Sequence, residues 1–179
     1  MIKSDPFMHG FRLTLALAAA VAASALTAGA AQAQLDPRAP LDITADASEV
    51  INSQCVSSWT GAVEALQGRT RLRADEIRIY NVKRGDECGA NDRLEASGQV
   101  YFVTPERTVR ADSAVYQFAS ETITLTGGVI VVQGKSVVRG DRMVINTRTG
   151  QASMTSSVTG RNKPGRVRGV FYPNDGAAR

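Results

Sequence analysis

The sequence predicts an all-β protein, an antiparallel sheet of bent strands built on a 29-residue repeat. Three observations predict it. Apolar residues recur with a period of two through Trp59, Gly61, Val63, Ala65 and through Ile123, Leu125, Gly127, Val129, Val131, the pattern of a strand with one buried face. After residue 34 no capped stretch has a 3.6-residue apolar period. Two short signatures also alternate along the chain at nearly constant distances.

The chain begins outside this pattern. Lys3 and Arg12 precede the apolar run LTLALAAAVAASALTAGA, which ends in Ala31–Ala33 as AQA. A charged start, an apolar centre and an Ala-x-Ala site describe a secretory signal peptide spanning 1–33, cut between Ala33 and Gln34. A retained membrane anchor is the alternative, since the run is nearly long enough to span; its content of small and hydroxyl residues favours cleavage. Cleavage would leave 19 Lys+Arg against 16 Asp+Glu, a net charge of +3. Such a weak basic excess, without alternating aromatic and basic residues, gives no reason to expect nucleic acid as a partner.

The remaining chain lacks the usual catalytic groups. Its one histidine, His9, lies inside the signal segment, so no imidazole serves a nucleophile or a metal. Adjacent carboxylates occur only at Asp75–Glu76 and Asp86–Glu87, where strand geometry sends neighbours to opposite faces. No enzymatic activity, catalytic residue, metal or cofactor is expected. The two cysteines, Cys55 and Cys88, predict a disulfide in an exported chain.

The repeat explains the domain, 34–172, with 173–179 left as a tail. Its first signature is a small residue followed by Asp, at Asp46, Asp75, Asp112 and Asp141. Its second is Gly-x-Val, at Gly61, Gly98 and Gly127, with Ser156 in the fourth place. From Asp to the next Gly position the spacing is 15, 23, 15 and 15 residues, and from each Gly to the next Asp it is 14 every time. One insertion of eight residues, in the loop NVKRGDECGANDR, breaks the regularity. Repeats of this length mean stacked supersecondary units.

At each aspartate after the first the apolar parity changes: Leu72 and Ala74 give way to Ile77 and Ile79, and Val109 and Ala111 to Ala114 and Tyr116. An extra residue that bends the strand keeps apolar side chains on one face. Asp fits such a bend as an acceptor for the amides that the interrupted ladder releases. Gly fits a sharp bend or a close approach of strands. A sheet bent at both signatures curls into a trough, and no helix exists to cover its apolar face. The inward side chains are mostly small, with Trp59, Tyr116, Phe118 and either Tyr101 or Phe102 as the large ones. They leave room for a slender ligand; a packed sandwich core gives the same periodicity. The cysteines fall at equivalent places in adjacent units, on one rim.

The ordered series of Asp and Gly-x-Val units, from Leu41 to Tyr172, resembles the LptA/OstA-like family of periplasmic lipopolysaccharide transport proteins. The resemblance implies an open, V-shaped β-jelly-roll that carries lipopolysaccharide between the inner and outer membranes, lipid A acyl chains inside. It implies a periplasmic location and edge-to-edge pairing with an LptC-like inner-membrane partner, an LptD-like outer-membrane partner and further copies of itself. Val63, Leu72, Ile77, Val100, Val109, Tyr116, Val129, Val131, Val138 and Ile145 would line the acyl-chain groove, or else form a plain core. Arg71, Arg73, Arg107, Arg110, Arg139 and Arg142 would face lipid phosphates or simply water. An LptC-like tethered protein and a structural β-repeat protein without lipid are the alternatives.

Overall fold

The computed structural model describes residues 39–172. They form ten strands: β1 (Leu41–Thr44), β2 (Ala47–Ile51), β3 (Val56–Gln67), β4 (Thr70–Arg84), β5 (Glu87–Val103), β6 (Thr108–Gln117), β7 (Thr122–Gln133), β8 (Ser136–Asn146), β9 (Ala152–Thr155) and β10 (Arg168–Val170). A single 3-10 turn, Asn52–Gln54, separates β2 from β3. All neighbours are antiparallel, in the order β1-β3-β4-β5-β6-β7-β8-β10. The predicted signal peptide, its cleavage point Ala33–Gln34 and the tail 173–179 lie outside the described residues.

The six long strands each cross a bend, so one sheet makes two walls. β1 pairs with Glu64–Gln67 of β3, while β2 pairs with Val56–Thr60 of the same strand. At the other end β10 pairs with Val137–Arg139 of β8 and β9 with Arg142–Ile145. The first wall therefore runs from β1 to β10 and the second from β2 to β9, joined along the line of bends. The sheet stays open, giving the V-shaped trough of a β-jelly-roll.

The register locates the bend. Thr60 pairs with Glu76 and Val63 with Ala74, so Gly61 and Ala62 together face Asp75. Gly98 and Gln99 face Asp112 in the same way, and Gly127 and Gly128 face Asp141. The surplus residue thus belongs to the glycine strand, not to the aspartate strand where the parity change had pointed. Both members of each pair have positive φ, 83° and 43° at Gly61 and Ala62, 83° and 50° at Gly127 and Gly128. Two left-handed residues turn the strand through the corner without changing which face it buries, and the partner strand, one residue shorter, changes parity to keep pace.

The core fills the angle between the walls. Val63, Ile77, Val100, Val109, Leu125 and Val129 are at most 1% exposed. Phe102, at 6%, points inward and settles the register question against Tyr101. The eight-residue insertion is not a loop. It lengthens β4 and β5 into a hairpin, Lys83 opposite Cys88 and Arg84 opposite Glu87. Asn81 holds an irregular point in it by donating to the Gly89 carbonyl and Asn91 Oδ1 at 3.0 and 3.1 Å.

Candidate functional site: the interior of the trough

Between the walls, towards the mouth of the V, lies a narrow apolar cavity of about 60 Å³. Leu72 and Phe102 come from the first wall, Leu94, Tyr116 and Ile123 from the second, and Leu41 of β1 closes the end. Ala65 and Ala114 leave the width, and Gln67 and Thr70 supply the polar margin. Small residues on a curved inner face are what keep such a space open in a small domain.

Of the ten residues predicted to line a groove, the structure brings Leu72 and Tyr116 to this cavity. Val63, Ile77, Val100, Val109 and Val129 are buried deeper, in the angle of the V, with Val131 and Ile145 in the same cluster at 8% and 4% exposure. Val138 packs half-buried against that cluster. The inward parity was legible, but depth was not: an alternation gives the face of a strand and says nothing of distance from the bend. Leu94, Phe102 and Ile123 carried the same inward signal. Gln67 and Thr70, flanking a turn, carried none. Among the described residues Trp59 Nε1 is the one buried side-chain polar atom without a hydrogen-bond partner.

The bend aspartates form a structural spine. The carboxylates of Asp46, Asp75 and Asp112 lie on the Cα atoms of Gly61, Gly98 and Gly127. A Cβ at Gly127 would come within 2.6 Å of Asp112 Cβ and Cγ. The sequence had suggested acceptors for free amides; the structure uses the side chain to fill the space that a missing Cβ leaves in the next strand. Among the described residues only the last unit makes hydrogen bonds to its bend carboxylate, where Ser156 stands in the glycine's place and Ser157 follows it. Asp141 Oδ2 accepts from Ser156 Oγ at 2.8 Å, from the Ser157 amide at 2.8 Å and from Ser157 Oγ at 2.7 Å.

These bonds, the Ser157 hydroxyl first, hold the Asp141 carboxyl below the ordinary range. A carboxyl depressed in the folded state stabilises fully above its unfolded value, about 3.9, and loses the contribution as pH falls through the lower folded value. The Ser157 amide is therefore expected to be protected above pH ~4 and freed in more acid solution. Amide exchange checks this, and Asp141→Asn should abolish the transition.

Cys55 and Cys88 are joined as the sequence predicted, with Cα atoms 5.3 Å apart. Cys55 ends the 3-10 turn at φ 54° and is 4% exposed. The bridge fixes that turn, and edge strand β2 before it, to the lengthened β4–β5 hairpin. Lys83 Nζ donates to the Ser53 carbonyl and the Asn81 amide to the Cys55 carbonyl at 2.9 Å, tightening the same joint.

Residues 42–151 match the family described as LptA/(LptD N-terminal domain) LPS transport protein. The chain belongs to that family. It is 29% identical over 159 residues to an uncharacterized protein of Rhizobium meliloti (strain 1021), covering 80% of this chain and 86% of that one. It is 26% identical over 136 residues to the LPS-assembly protein LptD of Saccharophagus degradans, covering 74% of this chain but 16% of that much longer protein. Its fold is similar to that of LptH, the LptA-homologous periplasmic component of the lipopolysaccharide transport device of Pseudomonas aeruginosa. That match has a TM-score of 0.65 at 18% identity and covers 78% of this chain and 99% of the other. Among the described residues no helix is long and apolar enough to cross a membrane.

Proposed function

We propose that this protein is a periplasmic bridge that carries lipopolysaccharide from the inner to the outer membrane, with lipid A acyl chains inside the trough and the sugar in water. The observation that carries the proposal is the apolar cavity between the walls, in a chain of a lipopolysaccharide transport family. Acyl chains are slender and apolar, and the mouth of a V lets a polar headgroup stay outside.

The ends of the sheet suit the assembly this function needs. Among the described residues β1 and β2 leave unpaired edges at one end, β9 and β10 at the other. Proteins ordinarily blunt such edges, and strand addition is a known way to use them. An LptC-like partner at the inner membrane, an LptD-like partner at the outer membrane and end-to-end copies of this chain are the occupants we propose.

Leu72→Arg and Tyr116→Arg are expected to weaken capture of lipid A at least tenfold, about 1.4 kcal/mol, while unfolding stays cooperative. Leu125→Ala, fully buried, should instead destabilise by ~2–5 kcal/mol. A photo-crosslinker at position 72 should capture lipid, and one at Arg110 on the outer face should not. The packed angle of the V favours a second reading, a structural β-repeat with no ligand; lipid absent from position 72 and unaffected capture in both arginine variants would support it instead.

A further inference from the structure

The outer surface of the first wall carries a row of side chains that the interior does not explain. Register places Tyr101 opposite Arg110, Arg110 opposite Ile130, Ile130 opposite Arg139, and Arg139 opposite Arg168. Along most of this row each cation has an uncharged neighbour. The last step, from β8 to β10, sets two arginines directly against each other. Like charges at that separation destabilise an antiparallel pair. They do so at the weakest joint of the sheet, where β10 has three residues, all exposed.

Around the pair lies an open cleft of about 280 Å³ lined by Lys135, Val137, Arg139, Arg168, Val170 and Tyr172. Val137 pairs with Val170 beside the arginines, and the Tyr172 amide donates to Ser136 Oγ at 3.3 Å. Both valines and the tyrosine carry apolar surface, with Val170 43% and Tyr172 52% exposed. Among the described residues no carboxylate forms an ion pair with Arg139 or Arg168, although Glu64, Glu76, Glu95, Asp92 and Glu121 all pair with arginines elsewhere.

We propose that this cleft binds a phosphate monoester, free or as the headgroup of an anionic lipid, and that the bound anion fastens β10 to β8. Guanidinium groups take phosphate oxygens with forked donors, so one anion between two opposed arginines turns a repulsion into a bridge. Val137, Val170 and Tyr172 would receive the apolar part next to the phosphate. The site lies on the outside of the wall and is independent of lipid in the trough. Because β10 covers the β8 edge, anion binding would also decide whether that edge is closed or open to another strand.

The test uses purified protein and two probes at matched ionic strength: inorganic phosphate, and phosphatidylcholine vesicles with and without phosphatidic acid. Amide exchange across Arg168–Val170 is expected to slow at least tenfold with the bound anion and not with chloride. Arg139→Gln and Arg168→Gln should each weaken binding at least tenfold, and Arg110→Gln, in the same row but outside the cleft, should not. Response to phosphate alone identifies the free anion as sufficient; response only to phosphatidic acid vesicles identifies the lipid headgroup. The proposal is overturned if neither probe binds, or if Arg110→Gln costs as much as Arg139→Gln, which would mean a diffuse charged face. Lipid A capture is not measured in either arm, so failure here leaves the reading of the trough standing.

Discussion

Gly127→Ala is expected to destabilise the protein by about 3 kcal/mol or more, and Gly128→Ala, one residue further on, by about 1–2 kcal/mol. Both glycines have positive φ, 83° and 50°, so both substitutions carry the left-handed cost of an L residue. They differ in what an added methyl meets. At Gly128 nothing lies within 4 Å, whereas at Gly127 the methyl enters the Asp112 side chain. Overpacking of that kind adds ~1–3 kcal/mol. Denaturant midpoints of the two variants measure the difference directly. Asp112→Gly, which removes the clashing atoms, should recover part of the loss when combined with Gly127→Ala and none when combined with Gly128→Ala, a coupling of ~1 kcal/mol or more in a double-mutant cycle. Equal costs for the two glycines would dismiss the spine as a structural element.

The same pair of residues shows how much the sequence carried. In the three complete units the first bulge residue is always glycine, Gly61, Gly98 and Gly127, while the second is Ala62, Gln99 or Gly128. The period, the all-β class and the two-walled trough followed from such repetition, because every unit meets the same physical problem of turning a strand without losing its buried face. The partner of the glycine was not legible. Asp112 and Gly127 stand 15 residues apart on neighbouring strands, and only register brings the carboxylate onto the glycine. For the same reason the sequence assigned the extra residue to the wrong strand, since a parity change marks the strand that is short by one. The insertion misled differently: its Gly, Asp and Asn residues suggest a loop, but tertiary pairing against β4 and the 3-10 turn makes it strand. The cavity was half legible. Leu72 and Tyr116 reach it, but Val63, Val100 and Val109, with the same parity, end in the packed angle. Depth in a V depends on distance from the bend in three dimensions, which a two-residue period does not encode. Arg139 and Arg168 were each visible as charges, and their opposition was not, because β10 follows β8 after 21 intervening residues.

Removing the Cys55–Cys88 bridge is expected to cost about 3–4 kcal/mol, the other large effect in this molecule. The cysteines are 33 residues apart in sequence, and a cross-link closing a loop of that length removes this much conformational freedom from the unfolded chain on entropic grounds. A second contribution is local. β2 is an edge strand, exposed at every residue but Ile51, and among the described residues it pairs with β3 alone. The bridge, the Lys83–Ser53 bond and the Asn81–Cys55 bond attach the turn after it to the β4–β5 hairpin. Without the bridge those two hydrogen bonds must hold a rim whose hairpin tip is exposed, and exposed hydrogen bonds contribute little on their own. Cys55→Ala/Cys88→Ala should therefore show a lower denaturant midpoint and, under native conditions, faster amide exchange in β2 and in residues 80–92 than in β6 and β7. A midpoint equal to that of the oxidised protein would mean that neither contribution operates. A lower midpoint with no selective exchange in β2 would leave only the chain-entropy part, and the rim would then owe its shape to the ladder between β3 and β4.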